Sequence, residues 1–377
     1  MKICLDAANL IAGGGRTHLI EFLNHFDESR HPEVKIEIWA SSETLSLLPN
    51  SDYISKKTHR YLERGLIFRS FWQRFILSKS ARGGQSDIIF SPGGNYAGSF
   101  RPAVTMSRNM LPFEWNEVFR YFPSFFFIKL ILLRIFQIRS FRNVDGLIFL
   151  SAYAEKATLR VIGPSVKTVR IPHGLNQRFL IGKLGENSEK LGFSGRLVTL
   201  LYVSTVDKYK HQVKLIQAVS ELRRISRLHL KLVLIGSSYG PSLTELKYAM
   251  KKYDPLKEWI DYKGAIPFKE LHKQYKVCDI GVFASTCENL PNTLLEMMGA
   301  RLPIVCSNYG PMPEVLRDGG VYFDPLNVES IKGAISQVHK SSILREEISS
   351  RAYQYAQEYS WQDTANATVD FLLSLKG

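Results

Sequence analysis

The sequence predicts an α/β protein of two Rossmann-like domains with parallel sheets. Three observations predict it. The chain has 377 residues, too many for one ordinary core and enough for two domains of similar size. Short apolar runs alternate with helix-period stretches through both halves, the pattern of parallel strands covered by helices on both faces. Apolar residues make up 45% and charged residues 22%, so each half can bury its own core.

In the first half, strands are expected at Ile3–Leu5, Ile36–Ala40, Ile88–Phe90, Ala103–Met106 and Gly146–Leu150. A helical pattern from Thr17 to Phe26 follows the first strand. In the second half, strands are expected at Thr199–Val203, Leu230–Ile235, Ile280–Ala284 and Ile304–Ser307. Between them lie helical stretches at His211–Ile225, Leu243–Tyr253, Phe268–Cys278 and Thr293–Ala300. Ile171-Pro172-His173-Gly174 ends one strand, and the polar run up to Ser194 has linker composition. The expected division is therefore an N-terminal domain at 1–176 and a C-terminal domain at 195–358. A last helix at 359–377 is expected to pack back on the N-terminal domain. Two such domains imply a cleft, where small-molecule sites prefer to form.

The formal charge of +14 favours anionic partners without choosing among them. Cys4, Cys278, Cys287 and Cys306 sit in or beside apolar runs with no close CxxC pair, so they read as buried free thiols in a reducing compartment. The N-terminal run carries Asp6 and ends in glycines, which reads as a buried strand, not a signal peptide. In Phe125–Phe141, Lys129, Arg134 and Arg139 leave no uncharged run of spanning length. No zinc finger, aromatic RNA-binding motif or concentrated basic arm supports a nucleic-acid partner.

The segment from Cys287 to Leu316 carries the chemistry. It follows a buried strand, and Pro291, Asn292 and Thr293 lead into a helix. Backbone N–H groups at Asn292 to Leu295 are expected to be free at the helix start, an anion site suited to a diphosphate. Glu288 stands before the helix and Glu296 in its first turn, so the pair can bracket a sugar nucleotide. Thr293-Leu294-Leu295-Glu296 is equally a capping-box pattern, in which Glu296 only ties down the helix start.

This segment resembles the E-x7-E signature of retaining glycosyltransferase family 4, in the variant with Pro-Asn after the first Glu. Gly299, Pro303, Ser307 and Pro313-Glu314-Val315 fall where that family has its following elements. The resemblance implies the GT-B fold. Val203–Ala218 is similar to the family's phosphate-binding strand, loop and helix, with Lys210 at the lysine that meets the donor diphosphate. Thr205 and Val206 stand near the place of the family's arginine, for which Lys208 can substitute. Taken alone, Lys208 and Lys210 read as a solvated loop. Gly236 and the loop Gly264-Ala265-Ile266 match the base-binding elements. Gly13-Gly14-Gly15 match the glycine loop, where close backbone approach is needed. The family's His-Asp pair is replaced by Ser107-Arg108-Asn109, so Arg108 and Asn109 are the candidates for contacting the transferred sugar there. His18 and His173 are further candidates, although a lone His173 at a turn reads as a packing residue.

The resemblance implies transfer from a UDP- or GDP-sugar with retention of configuration and no metal or other cofactor. Lys210 and the helix start near Asn292, Thr293 and Leu294 offset charge on the leaving diphosphate, and Glu288 orients the sugar. The expected acceptor is a glycan or lipid-linked glycan, in cell-surface polysaccharide synthesis. From Arg120 to Arg142 the chain is aromatic, apolar and basic. On a helix, Arg134, Arg139 and Arg142 fall in one broad arc that can rest on an anionic membrane; a core helix with snorkelling arginines is the competing reading. The expected location is cytoplasmic, with peripheral contact at the inner membrane face. The competing functions are a GT-B nucleotide-sugar epimerase and a non-catalytic anion- or nucleic-acid-binding protein.

Overall fold

The computed structural model describes residues 1–11, 13–164, 166–181, 193 and 195–376. In chain order these elements are β1 (Lys2–Asp6), α1 (Gly13–Asn24), β2 (Lys35–Trp39), α2 (Ser42–Ser46), β3 (Ile54–Lys57), α3 (Leu66–Phe75), α4 (Leu77–Gly83), β4 (Ile88–Ser91), β5 (Ala103–Met106), α5 (Trp115–Phe119), α6 (Phe125–Arg142), β6 (Gly146–Phe149), α7 (Ala152–Ile162) and β7 (Lys167–Arg170). They continue with β8 (Val198–Val203), α8 (Gln212–Ile225), β9 (Leu230–Ile235), α9 (Gly240–Tyr253), β10 (Ile260–Tyr262), α10 (Phe268–Lys276), β11 (Ile280–Phe283), α11 (Asn292–Gly299), β12 (Ile304–Ser307), α12 (Met312–Leu316) and β13 (Val321–Phe323). The last three are α13 (Val328–Lys340), α14 (Ser342–Ala356) and α15 (Trp361–Leu373).

The chain divides into two compact units. The first holds Met1–Phe113, Pro123–Gly174 and Ser360–Gly377; the second holds Glu114–Phe122 and Leu175–Tyr359. The short segment carrying α5 thus leaves the first unit and joins the second. Most of the polar run read as a linker, 182–192 and 194, lies outside the described residues.

The first unit contains a parallel sheet in the order β3-β2-β1-β4-β5-β6-β7. Strands β4, β5 and β6 are buried at every residue, as required of strands covered on both faces. The chain moves one way from β1 to β3 and the other way from β4 to β7. Right-handed crossovers therefore put α3, α4, α6 and α7 on one face and α1 and α2 on the other. Strands β3 and β7 lacked a long apolar run in the sequence, because edge strands bury only part of themselves. Local chemistry sets the helix ends. Ser151 accepts a hydrogen bond from the Ala154 N–H at the start of α7, and Gly163, at φ 79°, ends it. Ser360 caps α15 through the Asp363 N–H.

The second unit contains a parallel sheet in the order β10-β9-β8-β11-β12-β13. Its register runs Val198 to Val203 against Leu230 to Ile235. Gly236 ends β9 at φ 148°, and a Cβ there would lie 2.0 Å from the Ser204 carbonyl oxygen, so only glycine fits. Asn327 starts α13 by accepting from the N–H groups of Glu329 and Ser330. The free cysteines Cys4, Cys287 and Cys306 are buried in strands or beside them, and Cys278 is half-buried.

The arginine arc expected on α6 is divided: Arg139 and Arg142 are exposed, whereas Arg134 is half-buried. Arg134 donates to the Pro112 carbonyl at 2.8 Å, and Arg142 donates to the carbonyls of Val161 and Ile162. Leu130, Gln137, Ser140 and Phe141 are buried, whereas Phe125, Ile128, Leu132, Ile135 and Phe136 are exposed. The core-helix reading holds only for the packed face. No described helix is long and apolar enough to cross a membrane.

Candidate functional site

Each sheet reverses its winding beside its first strand: between β1 and β4 in one unit, and between β8 and β11 in the other. Loops leaving the carboxyl ends of two such neighbours diverge, and the opening between them is where open α/β sheets take ligands. In the second unit these are the loop from β8 into α8 and the loop from β11 into α11. They carry Lys210 and Glu288.

Lys210 and Glu288 form an ion pair within hydrogen-bonding distance, with side chains 9% and 16% exposed. The Lys210 ammonium also lies over the rings of Tyr209 and Phe283. A pair so withdrawn from water is held by its loops. The Tyr202 hydroxyl donates to the Lys210 carbonyl at 3.0 Å, and the Thr286 N–H donates to the Tyr209 carbonyl at 2.9 Å. Gln212 Nε2 donates to Ser204 Oγ and to the carbonyl of Thr205, whose side chain is exposed. His211, at φ 52°, meets the Thr286 hydroxyl through Nε2 at 3.0 Å. Burial, Arg120 and Lys214 lower its pKa to about 3, so the imidazole is neutral.

The solvated reading of Lys208 and Lys210 is therefore wrong for both. Lys208 Nζ donates to the Arg120 carbonyl at 2.8 Å and lies over the Tyr121 ring. The Tyr121 hydroxyl donates to Asp207 Oδ1 at 2.5 Å, and Asp207 also accepts from the Lys208 N–H. Burial and the Asp207 carboxylate push the Tyr121 phenol well above its ordinary range. Sequence reasoning missed Tyr121 and Asp207. Eighty-six positions separate them, and no local pattern marks a tyrosine that crosses from one half to brace a loop of the other.

The helix start at α11 differs from expectation. Three of the four N–H groups expected to be free already donate: Asn292 to the Leu290 carbonyl, and Leu294 and Leu295 to the Pro291 carbonyl. Tight turns ahead of the helix use them up. The capping box is absent too. The cap residue is Pro291, which makes no side-chain cap bond, and the helix begins ahead of Thr293. Glu296 is buried and accepts from the Tyr275 hydroxyl at 2.7 Å. Burial pushes its carboxyl up to about 8 against the opposing effects of Tyr275 and Arg178, so it is largely protonated at neutral pH. The other second-unit candidates lie on loops after β9 and β10. The Gly236 N–H donates to the Gly264 carbonyl, the Tyr262 hydroxyl donates to the Gly236 carbonyl, Ala265 is exposed and Ile266 is half-buried.

In the first unit, Gly13, Gly14 and Gly15 form the first turn of α1, not a loop ahead of it, with Gly13 at φ 64°. A Cβ at Gly15 would press on Leu10 at 3.0 Å. Arg108 donates to the Gly14 carbonyl at 2.9 Å, while its other terminal nitrogen, Nη1, is buried without a hydrogen-bond partner. Burial lowers its guanidinium to about 10. The Asn109 side-chain oxygen is taken by the Leu111 N–H at 3.0 Å. His18 and His173 are not separate candidates. Their ring centroids lie 4.7 Å apart, both stack near Trp361, and burial holds both well below the ordinary histidine range. At the reversal point itself, Asp6 accepts from Ser91 Oγ at 2.7 Å and Gln73 Nε2 at 2.6 Å. Among the described residues no group of three or more His, Cys, Asp or Glu side chains is placed to hold a metal ion.

Known proteins resemble the chain in sequence and in fold. Residues 185–355 match the family described as glycosyl transferases group 1. Over 170 residues the chain is 29% identical to O-antigen chain mannosyltransferase B of Escherichia coli, covering 45% of this chain and 44% of that protein. Over 174 residues it is 22% identical to D-inositol 3-phosphate glycosyltransferase of Paenarthrobacter aurescens, covering 45% and 42%. These matches span under half the length of either curated relative. Among solved structures, sucrose-phosphate synthase of Thermosynechococcus elongatus superposes with a TM-score of 0.78 at 14% identity, over 100% of this chain and 99% of that one. Anabaena HepE, solved in complex with UDP and glucose, superposes with a TM-score of 0.71 at 18% identity, over 99% of each chain. The fold is GT-B, and residues 185–355 match the glycosyl transferases group 1 family.

Proposed function

We propose that the protein is a retaining glycosyltransferase that moves a sugar from a UDP- or GDP-sugar to a glycan or lipid-linked acceptor, in the synthesis of a cell-surface polysaccharide. The observation that carries the proposal is the Lys210–Glu288 pair, held at the winding reversal of the second unit. An ammonium and a carboxylate there suit the two ends of a sugar diphosphate. Lys210 neutralises the diphosphate as it leaves, and Glu288 takes hydroxyls of the sugar and fixes its orientation. Backbone at Gly236, Ala265 and Ile266 is proposed to receive the base. Glu296, mostly protonated, is proposed to donate to the nucleotide as well as accept from Tyr275. In the first unit, Arg108 is proposed to bind sugar through its unpartnered Nη1, with Gly14 holding the guanidinium in place.

The relatives support this reading by their names, a mannosyltransferase and an inositol-phosphate glycosyltransferase, and the UDP complex of HepE supports a nucleotide-sugar donor. The reaction is proposed to need no resident metal, since Lys210 supplies the charge; chelator should leave turnover unchanged. We further propose peripheral contact with an anionic membrane at the inner face. The test is a transfer assay with a panel of nucleotide sugars and acceptor glycans. Glu288→Gln is expected to lower kcat/KM by about 10²–10³-fold with donor affinity less affected. Full activity in Glu288→Gln contradicts the assignment. Epimerised nucleotide sugar without transfer contradicts the function.

A further inference from the structure

The first unit exposes two apolar helix faces that its own packing leaves uncovered. On α3, Leu66, Ile67, Phe68, Phe71 and Phe75 are exposed, Ile67 at 82%. On α6, Phe125, Ile128, Leu132, Ile135 and Phe136 are exposed, Phe125 at 84%. The spacing on α6 places these residues along one stripe. Soluble surfaces scatter such residues singly, so two such clusters in one unit call for an occupant.

The two stripes share one side of the sheet. Their crossovers run in the same direction, so both helices cover the same face. Both are also tied to the loop between β4 and β5: Arg74 on α3 donates to the Ala97 carbonyl, and Ser140 on α6 accepts from the Tyr96 N–H. Their buried sides are fixed by Trp72 and Gln73 on α3 and by Gln137 and Phe141 on α6, so the apolar stripes turn away from the sheet.

The charge around the stripes has one sign. No Asp or Glu occurs from Arg64 to Ser86 or from Val118 to Val144. Arg64, Arg74, Lys129 and Arg139 are exposed in these stretches. Glu63, just ahead of the first stretch, accepts from Ser42 and Thr58. Arg64 and Arg74 lie over the rings of Phe68 and Phe75 at 5.0 and 5.8 Å, so their charge rides on the apolar surface.

We infer that the outward faces of α3 and α6 form one docking surface for an anionic lipid bilayer, with the aromatic and aliphatic side chains entering the headgroup boundary and the cations meeting lipid phosphates. Helices that carry apolar residues and cations without acids of their own suit such a boundary. A second copy of the chain fits poorly, because a two-fold contact would face this cationic surface with itself. The inference deepens the membrane contact proposed above and does not depend on the transfer reaction.

The test is flotation of the full chain with phosphatidylcholine vesicles, with and without phosphatidylglycerol. Two variants are compared with wild type: Ile67→Ser/Phe136→Ser, and Lys129→Glu/Arg139→Glu. Thermal melting and protection by nucleotide sugars are read alongside, so loss of the fold or of donor binding is separated from loss of docking. Wild type is expected to float with phosphatidylglycerol vesicles and at least tenfold less with neutral ones. Each variant is expected to reduce binding about tenfold while melting and donor protection stay unchanged. Wild type that ignores anionic vesicles overturns the inference, as does binding that both variants leave intact. A concentration-dependent dimer that the variants dissolve, without vesicle binding, also overturns it and gives the surface to a second copy.

Discussion

Lys210 and Glu288 are in direct contact and mostly buried. Removing either leaves the other charge buried and unmatched. Lys210→Met is expected to cost about 3 kcal/mol of stability, and the double variant with Glu288→Leu less than either single change, measured by chemical denaturation. Equal and additive losses would show that the pair is not coupled. Glu296 makes a separate prediction. Its folded pKa, about 8, stands above the ordinary carboxyl value of 4.5. The folded state therefore holds a proton that the unfolded state has released, and stability is lost as pH rises from about 5 to 8. Glu296→Gln is expected to flatten that decline in melting temperature; an unchanged slope contradicts it. His18 and His173 have the opposite sense. Burial depresses both, so stability falls as pH drops below the ordinary histidine value of 6.5. His18→Leu is expected to make melting less sensitive between pH 7 and 5. The sequence showed Glu288 and Lys210 because each sits in a run of recognisable neighbours. It could not show that Tyr275 holds Glu296, or that the two histidines share one stack, since those partners meet only through the fold.

The element scale explains which parts were readable. Central strands such as β5, β9 and β12 coincide with apolar runs because burial on both faces favours apolar side chains. Edge strands β3 and β7 carry lysines, arginines and serines on their open sides and give no such run. At α11 the sequence suggested both an anion site and a capping box, and turns ahead of the helix displaced both. On α6 the charged positions were legible but their direction was not. Arg134 and Arg142 turn to backbone carbonyls of neighbouring segments, which leaves the apolar stripe outside. The turn after β9 gives a sharp element-scale prediction. A methyl at Gly236 meets the Ser204 carbonyl, so Gly236→Ala is expected to destabilise the protein by about 3 kcal/mol or more and to weaken donor protection. A stable, donor-binding variant would contradict the glycine requirement.

At the scale of the whole molecule, the chain is not two consecutive blocks. Residues 114–122 leave the first unit to brace the loop between β8 and α8 in the second, and α15 returns to the first unit at the end. Trp361 there packs with His18 and His173, and a Cβ on Gly174 would strike it. The sequence anticipated a closing helix from its period, but it held no sign of the excursion at 114–122. The pair at the second winding reversal is proposed to bind a sugar nucleotide for transfer with retention. Its most direct test is one transfer reaction followed by proton NMR at the anomeric centre, run with wild type and Glu288→Gln. Wild type is expected to form a glycoside with the donor's anomeric configuration, and Glu288→Gln to slow it by about 10²–10³-fold. Inverted product, or a Glu288→Gln enzyme as fast as wild type, would contradict it.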